Sequence, residues 1–534
     1  MNNAKKIFLY IAGAAATTLG ACTKDFQEIN TTPGLPTATT IPPLVNGVIS
    51  TLFLKGQEQA AIHNEYYYPV TQLATISGNS GYLVQNGAQD IWNDYYGALQ
   101  NLNQIQDKID AYTGDKAEMD NVQAITYILR AYKTLRITDQ FGDIPYSKAG
   151  KAYLNVTDNF RPEYDSQESI YKSLLEQLKW ASQHLTTAAN TPGGKPYVTL
   201  GSSETLFNSN ISSWQKFGNA ILLRYAMQIV EKDAATATPY LQYALSGIPL
   251  IGEGEDAGMW PVKLNAYVLN DSRFWSFTSH KFVRLSTTCW NQMADGTDAS
   301  KIFDPRVALF FETNQAGKWA PLQPGSTASD NTNPYQDKRD ADFANKDNCI
   351  FSPFNYLIVR DIYFQPELFI TAAEVHFLKA EAYARGLGVA KNMATAGTEY
   401  TAGITSSVNF WYYIAHNTNV TNDNWSAVAP PSPTPAQMTT FLANPKVAFT
   451  GTDDQKLDKI YAQEWLSFFR QPWLAYNLWR RTGRTPRDGN PAAYVNFNRL
   501  QYPQGESINN TANYKIQSDK MGGNSTTVKV WWMK

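Results

Sequence analysis

Two blocks of this chain, residues 88–232 and 367–482, carry apolar side chains at helical spacing, and residues 246–365 between them carry no sustained period. Ile91, Tyr95, Leu99, Leu102, Ile105 and Ile109 recur at intervals of three and four, which places them on one face of a helix. Val122, Ile125, Leu129, Tyr132 and Leu135 predict a second helix over about 117–140, ended by Phe141-Gly142-Asp143-Ile144-Pro145. Asp165 and Glu168 form a capping-box pattern before Ile170, Leu174, Leu178, Ala181 and Leu185. Trp214, Phe217, Ile221, Tyr225 and Ile229 mark another helix after Asn210 and Ser212. In the second block, residues 367–385 are rich in Ala and Glu and stop at Gly386, and residues 456–470 read as helical. Pro472 then opens a helix running to Arg481, because a proline in the first turn lacks only an N–H that would go unused.

Residues 246–365, 417–450 and 483–534 are rich in Gly, Pro, Asn and Asp. Loops longer than about 15 residues are uncommon unless they are functional or disordered. These hold Trp260, Tyr267, Phe274, Trp275, Trp290, Trp319, Tyr335 and Trp425, an aromatic load that argues against disorder. The expectation is a mainly α chain, with a large irregular loop-rich layer built on a helical scaffold. Neither helical block is flanked by a convincing linker. Residues 44–534 are therefore expected to form a single body with no independent β domain.

The N-terminus reads as a signal. Lys5 and Lys6 precede an apolar run from Ile7 to about Leu19, shorter than the roughly 20 residues a bilayer span needs. The run ends in Leu19-Gly20-Ala21-Cys22, the pattern of a bacterial lipoprotein processing site. Residues 1–21 would be removed, and Cys22 would carry acyl chains, two or more of which hold a protein stably on a membrane. The bland alternative is an ordinary secretory signal with a chance cysteine. Pro33, Pro36, Pro42 and Pro43 among threonines make residues 22–43 an extended tether, or in part a segment that runs across the surface of the body.

The chain of 534 residues has a formal charge of -2, and loss of Lys5 and Lys6 would leave it about -4. That is no footprint for nucleic acid, which favours a basic stripe. Charged residues are 17% and aromatics 13%, so the polar surface must come largely from Asn, Gln, Ser and Thr. Such a surface suits neutral, hydroxyl-rich ligands. Cys289 and Cys349 could pair in an oxidising compartment, although two buried or half-buried free thiols are the expected outcome. His63, His184, His280, His376 and His416 are too far apart in sequence for a helical zinc pair. No phosphate loop and no nucleophile elbow occur. Glu253-Gly254-Glu255-Asp256 and Asp453-Asp454 read as solvated acids, and His376 as a helix-interface histidine. No catalytic residue, metal site or organic cofactor is expected; a lipid-anchored hydrolase stands as the contrary reading.

A family resemblance rests on motifs in order along nearly the whole chain. Asp25-Phe26-Gln27-Glu28-Ile29-Asn30 follows the cysteine, then Trp92-Asn93-Asp94-Tyr95-Tyr96 leads into Asn101-Leu102-Asn103. Next come Thr138-Asp139-Gln140-Phe141-Gly142-Asp143-Ile144-Pro145-Tyr146, Asp304-Pro305-Arg306, and Thr371-Ala372-Ala373-Glu374 with Ala380-Glu381-Ala382. Trp479-Arg480-Arg481-Thr482-Gly483, Asp519-Lys520-Met521 and Trp531-Trp532 close the series. The chain resembles the SusD/RagB-type nutrient-binding outer-membrane lipoproteins of Bacteroidetes. The resemblance implies tetratricopeptide-like helical hairpins, although no clean repeat of about 34 residues is visible. It further implies a surface-exposed, lipid-anchored protein that binds an oligosaccharide, or a peptide in RagB-type members. Such a protein delivers its ligand to a SusC-like TonB-dependent transporter and catalyses nothing.

A sugar ring stacks its C–H face on an aromatic ring, while amides serve its hydroxyls. Trp92, Trp214, Trp465 and Trp479 lie in helical patterns and are assigned to packing. Tyr82, in a Gly-rich loop with Asn79, Gln85 and Asn86, and Phe274 and Trp275, beside Arg273, are the expected ligand contacts. The family tends to place ligand contacts in loops of these two regions. Trp290, Trp319 and Trp425 come next.

Overall fold

The computed structural model describes residues 40–77, 84–261, 283–296, 298–328, 350–355, 364–418, 429–488 and 496–534, with the side chains of Gln85 and Asn86 outside that set. Leu44, Val45, Val48 and Ile49 bury the inner face of α1 (Ile41–Ile49), whose first turn takes in Pro42 and Pro43 of the sequence-assigned tether. Helix α1 lies antiparallel to α2 (Val84–Asp110): Gly47 abuts Asn101, while Lys133 reaches both Thr51 O and Asp94.

Helix α3 (Asp120–Phe141) is the centre of the first block. From Asn121 to Phe141 only Tyr127 escapes full burial. Its apolar stripe alone predicts an amphipathic surface helix, yet neighbours cover every side of it. Arg130, Lys133, Arg136 and Asp139 therefore leave water with it, and each finds a polar partner. Arg136 pairs with Glu58, which opens a nine-residue π-helical run, Gln59–Tyr67. Burial keeps the adjacent His63 below the usual imidazole range and hence neutral.

Helix α4 (Gln167–His184) begins one residue later than the sequence pattern indicates. Ser166, not Asp165, is its N-cap and accepts from Ser169 N. Asp165 instead receives the backbone N–H groups of Tyr146 and Ser147. It can do so because Tyr164–Asp165 pairs as a short strand with Ile144–Pro145, so its carboxylate points across to the neighbouring chain. Asn210 caps α5 (Ile211–Ile229), and α6 (Ala234–Ala244) packs back on it. Gly218 lets α5 seat on α3, where a Cβ would lie 2.6 Å from Ile128.

In the second block residues 367–370 are not helical. They form a strand, Glu367–Ile370, antiparallel to Ala257–Met259, with the extended run Leu368-Phe369-Ile370 buried. Gly258 permits this approach, since a Cβ there would sit 2.5 Å from Glu367 O. Thr371 then caps α8 (Ala372–Arg385), counted after α7 (Thr287–Met293), and Gly386 ends it with φ 72°. Helix α9 (Met393–Asn417), which the sequence pattern does not single out, folds back on α8. His376 bridges the two through Glu399 at 2.6 Å, an interface role as expected.

Capping boxes at Thr434–Gln437 and Thr452–Gln455 open α10 (Pro435–Leu442) and α11 (Asp453–Ser467). Pro472 opens α12 (Pro472–Thr482), and Gly483 closes it. The terminal stretch, expected to be irregular, contains α13 (Gln504–Asn509) and α14 (Thr511–Lys520). Both are mostly exposed and polar, so they lack the apolar period that would mark them. Buried apolar residues from Leu44 to Trp532 make one continuous core. Trp92, Trp214 and Trp465 are buried in it and Trp479 packs half-buried against it. Among the described residues no helix is long and apolar enough to cross a membrane.

Candidate ligand-binding surface

Most of the acidic and basic motif residues lie inside the scaffold. Glu381 takes both terminal nitrogens of Arg481 at 2.7 Å, a further bond from Arg385 and the Tyr461 hydroxyl. Burial alone would raise its carboxyl, but Arg481 outweighs this and holds it down at about 2. Arg224 grips Glu374, and Arg306 grips Asp304 with Nε at 3.0 Å and Nη2 at 2.6 Å. Asp139 accepts from Tyr171, from Asn477 at 2.9 Å and from Trp532 Nε1 at 2.8 Å, while burial pushes its carboxyl up to about 6. The Arg480 guanidinium stacks 4.6 Å over the Trp532 ring. These groups are sealed from substrate.

The acids read as solvated are occupied too. Glu253 accepts from Ser406 and Asn409, Glu255 pairs with Lys216, and Asp453 and Asp454 pair with Lys391 and Arg484. Among the described residues no three His, Cys, Asp or Glu side chains gather as a metal site. Cys289 is a buried free thiol, and burial raises its pKa strongly, which disfavours the reactive thiolate.

The expected contacts Tyr82, Asn79, Arg273, Phe274 and Trp275, together with the Gln85 and Asn86 side chains, lie outside the described residues, as do Cys22, Cys349 and Trp425. The bases of their two loops are described. Thr75–Ile76 pairs antiparallel with Val283–Arg284, Ile76 opposite Val283 and Thr75 opposite Arg284. Segment 78–83 follows the first strand and segment 262–282 precedes the second. In this register the end of the first strand lies beside the start of the second, so the bases of the two loops are adjacent.

The ribbon sits on a polar junction. Gln72 Oε1 accepts the Thr288 hydroxyl at 2.6 Å and the Asp488 N–H at 2.7 Å. Asp488 Oδ2 accepts from Thr287 at 3.3 Å and Gln323 at 3.2 Å. Alongside, Arg284 bridges to Pro353, and Ser286 to Leu322. Two of the second-rank aromatics flank this region, with different fates. Trp290, in α7, is buried and donates to Gly296 O at 2.7 Å, so it is core and not a contact. Trp319 is half-buried and stacks on Trp290, with centroids 5.6 Å apart and planes at 29°. Trp319 thus presents an indole half open to solvent and backed by a second indole. Sequence marked both residues only as loop aromatics; α7 and its capping Ser286 separate them.

The match to a family model described as starch-binding and associating with the outer membrane runs from residue 33 to residue 503. This chain belongs to the SusD-like family. No curated protein sequence matches the chain. Solved SusD-like structures superpose over nearly its whole length. A chitin-binding protein is 22% identical with a TM-score of 0.69, covering 93% of this chain and 100% of its own. A SusD homologue from Parabacteroides distasonis is 20% identical with a TM-score of 0.69, covering 93% and 98%. A chitin-binding SusD homologue from Flavobacterium johnsoniae is 22% identical with a TM-score of 0.65, covering 92% and 98%. The hairpins described above are the tetratricopeptide-like scaffold of these SusD-like proteins, with the loop-rich layer upon it.

Proposed function

We propose that this SusD-like protein binds an oligosaccharide at the face around the Thr75–Ile76 and Val283–Arg284 ribbon and delivers it to a SusC-like TonB-dependent transporter. The observation that carries the reading is the ribbon itself, which joins the bases of the two aromatic-bearing loops. Tyr82, Phe274 and Trp275 stack on sugar rings from those loops, with Asn79, Gln85, Asn86 and Arg273 at the ring edges. Trp319 supplies a further platform. The family description supports a glycan, and the chitin-binding relatives favour a neutral one, consistent with a surface poor in charge. Acids held in ion pairs support binding without hydrolysis. Cys22 anchors the protein to the outer membrane, facing outward, with residues 44–534 acting as one body.

A binding screen of the mature protein against plant, fungal, host and bacterial glycans and against peptides tests this. Retention by a glycan, lost in Trp275→Ala at an unchanged melting temperature, is the expected result. Binding of peptides alone would replace the ligand class. Turnover abolished by one carboxylate substitution would replace the reading with a hydrolase. Cys22→Ala is expected to move the protein out of the membrane fraction; a variant still processed and membrane-bound would remove the anchor.

A further inference from the structure

Leu154, Val156 and Phe160 are 49, 51 and 57% exposed. They belong to two short turns, Ala152–Leu154 and Thr157–Phe160, and the link between them, and neither turn buries a residue. The turns pack on each other, and Asn159 Nδ2 donates to Lys151 O at 3.2 Å. One exposed leucine is ordinary, but large apolar side chains gathered this closely mark a surface that another group covers. Two cations flank them. Lys151 Nζ bonds the Ser147 carbonyl, and neither Lys151 nor the exposed Arg161 pairs with a carboxylate among the described residues. The acids of the patch, Asp158 and Glu163, each lie 3.7 Å from Lys148.

The described chain starts beside this patch. Tyr153, next to Leu154, donates its hydroxyl to Asp107 Oδ2 of α2 at 2.6 Å. Helices α1 and α2 run antiparallel, with Thr51 near Asp94 and Gly47 near Asn101. Ile41, six residues before Gly47, therefore falls level with the Asp107 turn. Ile41 and Leu154 thus stand on two sides of one turn of a helix about 10–12 Å in diameter. Residues 22–39 lie outside the described residues. Running back from Thr40, residues 30–39 can reach up to about 35 Å, enough to bring Ile29 to the patch.

In Asp25-Phe26-Gln27-Glu28-Ile29 two apolar side chains each follow an acid, and residues 22–39 hold no other acid. Phe26 and Ile29 match the patch in polarity, and Asp25 and Glu28 match Lys151 and Arg161 in charge. A second copy offering the same patch would instead set these cations against their like. We infer that residues 25–29 dock on the patch formed by Leu154, Val156 and Phe160 as an N-terminal strap. Docking needs neither the glycan nor the transporter. With Cys22 as the anchor, as proposed above, it leaves at most about 14 Å of chain between lipid and body, against about 60 Å for an undocked tether. The strap would hold this end of α2 towards the membrane.

The test uses the chain from residue 22 with Cys22→Ser, in which Phe160 is replaced by the photo-cross-linker p-benzoylphenylalanine. Mass spectrometry maps the cross-links, and hydrogen exchange at residues 152–161 is read in the same chain with Phe160 intact. The expected result is a cross-link to residues 23–32 of the same chain. Phe26→Ser with Ile29→Ser should lower its yield, and speed exchange at residues 152–161, by about tenfold or more. Asp25→Lys with Glu28→Lys should lower the yield severalfold, and adding Lys151→Glu with Arg161→Glu should restore it. All these side chains are exposed or precede the body, and an unchanged thermal melt shows that it stays folded. Four results overturn the strap: cross-links that join two copies, which would make the occupant a second molecule; cross-links only to phospholipid when the lipidated protein is placed on vesicles; no cross-link, with exchange equal in wild type and variant; or a yield indifferent to both charge swaps. Because Cys22 is replaced, failure here is separate from failure of the anchor, which the Cys22→Ala fractionation decides.

Discussion

The helical scaffold and the ribbon face use polar side chains differently. In the scaffold, charges are withdrawn from water in pairs: Glu381 with Arg481, Glu374 with Arg224, Asp304 with Arg306. At the ribbon the junction is mainly amides and hydroxyls, Gln72, Thr287, Thr288 and Gln323 around Asp488, some of them in contact with solvent. A buried pair broken on one side leaves an uncompensated charge, whereas an exposed amide lost from a face is replaced by water. The scaffold is therefore costly to alter and says little about ligand. The face, where Thr287 and Gln323 meet solvent while Gln72 and Thr288 are buried, is the region proposed above to carry specificity. Substitutions on the two sides should separate stability from binding.

The largest effect is expected at Glu381. Glu381→Gln removes the charge that two arginines and the Tyr461 hydroxyl share, and should cost about 3–5 kcal/mol of stability. Urea unfolding measures it. Glycan affinity of the still-folded fraction should be unchanged. A loss of affinity at full stability would mean that scaffold and face are coupled and would break the comparison.

Asp139 sharpens it by pH. Burial raises its carboxyl from 3.8 to about 6, so the folded state favours the protonated form more than the unfolded chain does. Its contribution is complete below about pH 4 and is lost as pH rises through 6. Two units correspond to about 3 kcal/mol at most. Glu381 and Glu58 act in the opposite sense: held at about 2, they add stability above pH 4.5 that disappears only as pH falls toward 2. Between pH 4 and 6 the wild type should thus gain stability from Asp139 on acidification. In Asp139→Asn the urea midpoint should change less across that window. An identical pH slope in both proteins would show that Asp139 titrates normally.

On the face, Trp319→Ala should weaken glycan binding by roughly 1–3 kcal/mol, the range for removing a stacking ring. Calorimetric titration reads the affinity and a thermal melt reads the fold. A large drop in melting temperature with affinity unchanged would move Trp319 into the core beside Trp290.

How much of this was legible in sequence follows from the same division. Helices with one apolar face, such as α2 and α4, were visible because their outer faces stay polar. Helix α9 was not, since Gly397, Gly403 and several threonines interrupt its pattern, and Gly403 is there to admit the Phe377 ring of α8. The strand at Glu367–Ile370 merged with the helix after it, because only its partner at Ala257–Met259, far off in sequence, makes it extended. The motif residues could be recognised but not explained: nothing local shows that Glu381 meets Arg481, a hundred residues away. The ribbon that joins the two loop bases is likewise non-local. Trp290 and Trp319 looked alike in sequence, and only α7 buries one and leaves the other half-buried beside it.

The smallest effect concerns the start of α4 and distinguishes two neighbouring residues. Ser166 accepts from Ser169 N at 3.2 Å, so Ser166→Ala should cost about 1 kcal/mol, the usual loss of an N-cap. Asp165 holds the N–H groups of Tyr146 and Ser147, each at 2.9 Å, and has no part in the cap. Asp165→Ala releases two backbone donors from the chain between α3 and α4. Ser147 can turn to water, but the Tyr146 N–H lies in a partly buried bond. Asp165→Ala should therefore cost at least as much as Ser166→Ala, and for a different reason. Hydrogen exchange separates them: Ser166→Ala should speed exchange in the first turn of α4, and Asp165→Ala at residues 146 and 147. If Asp165→Ala instead loosens the first turn of α4, the capping box read from Asp165 and Glu168 is the true start of the helix. Neither variant should alter glycan binding, because both sit in the scaffold.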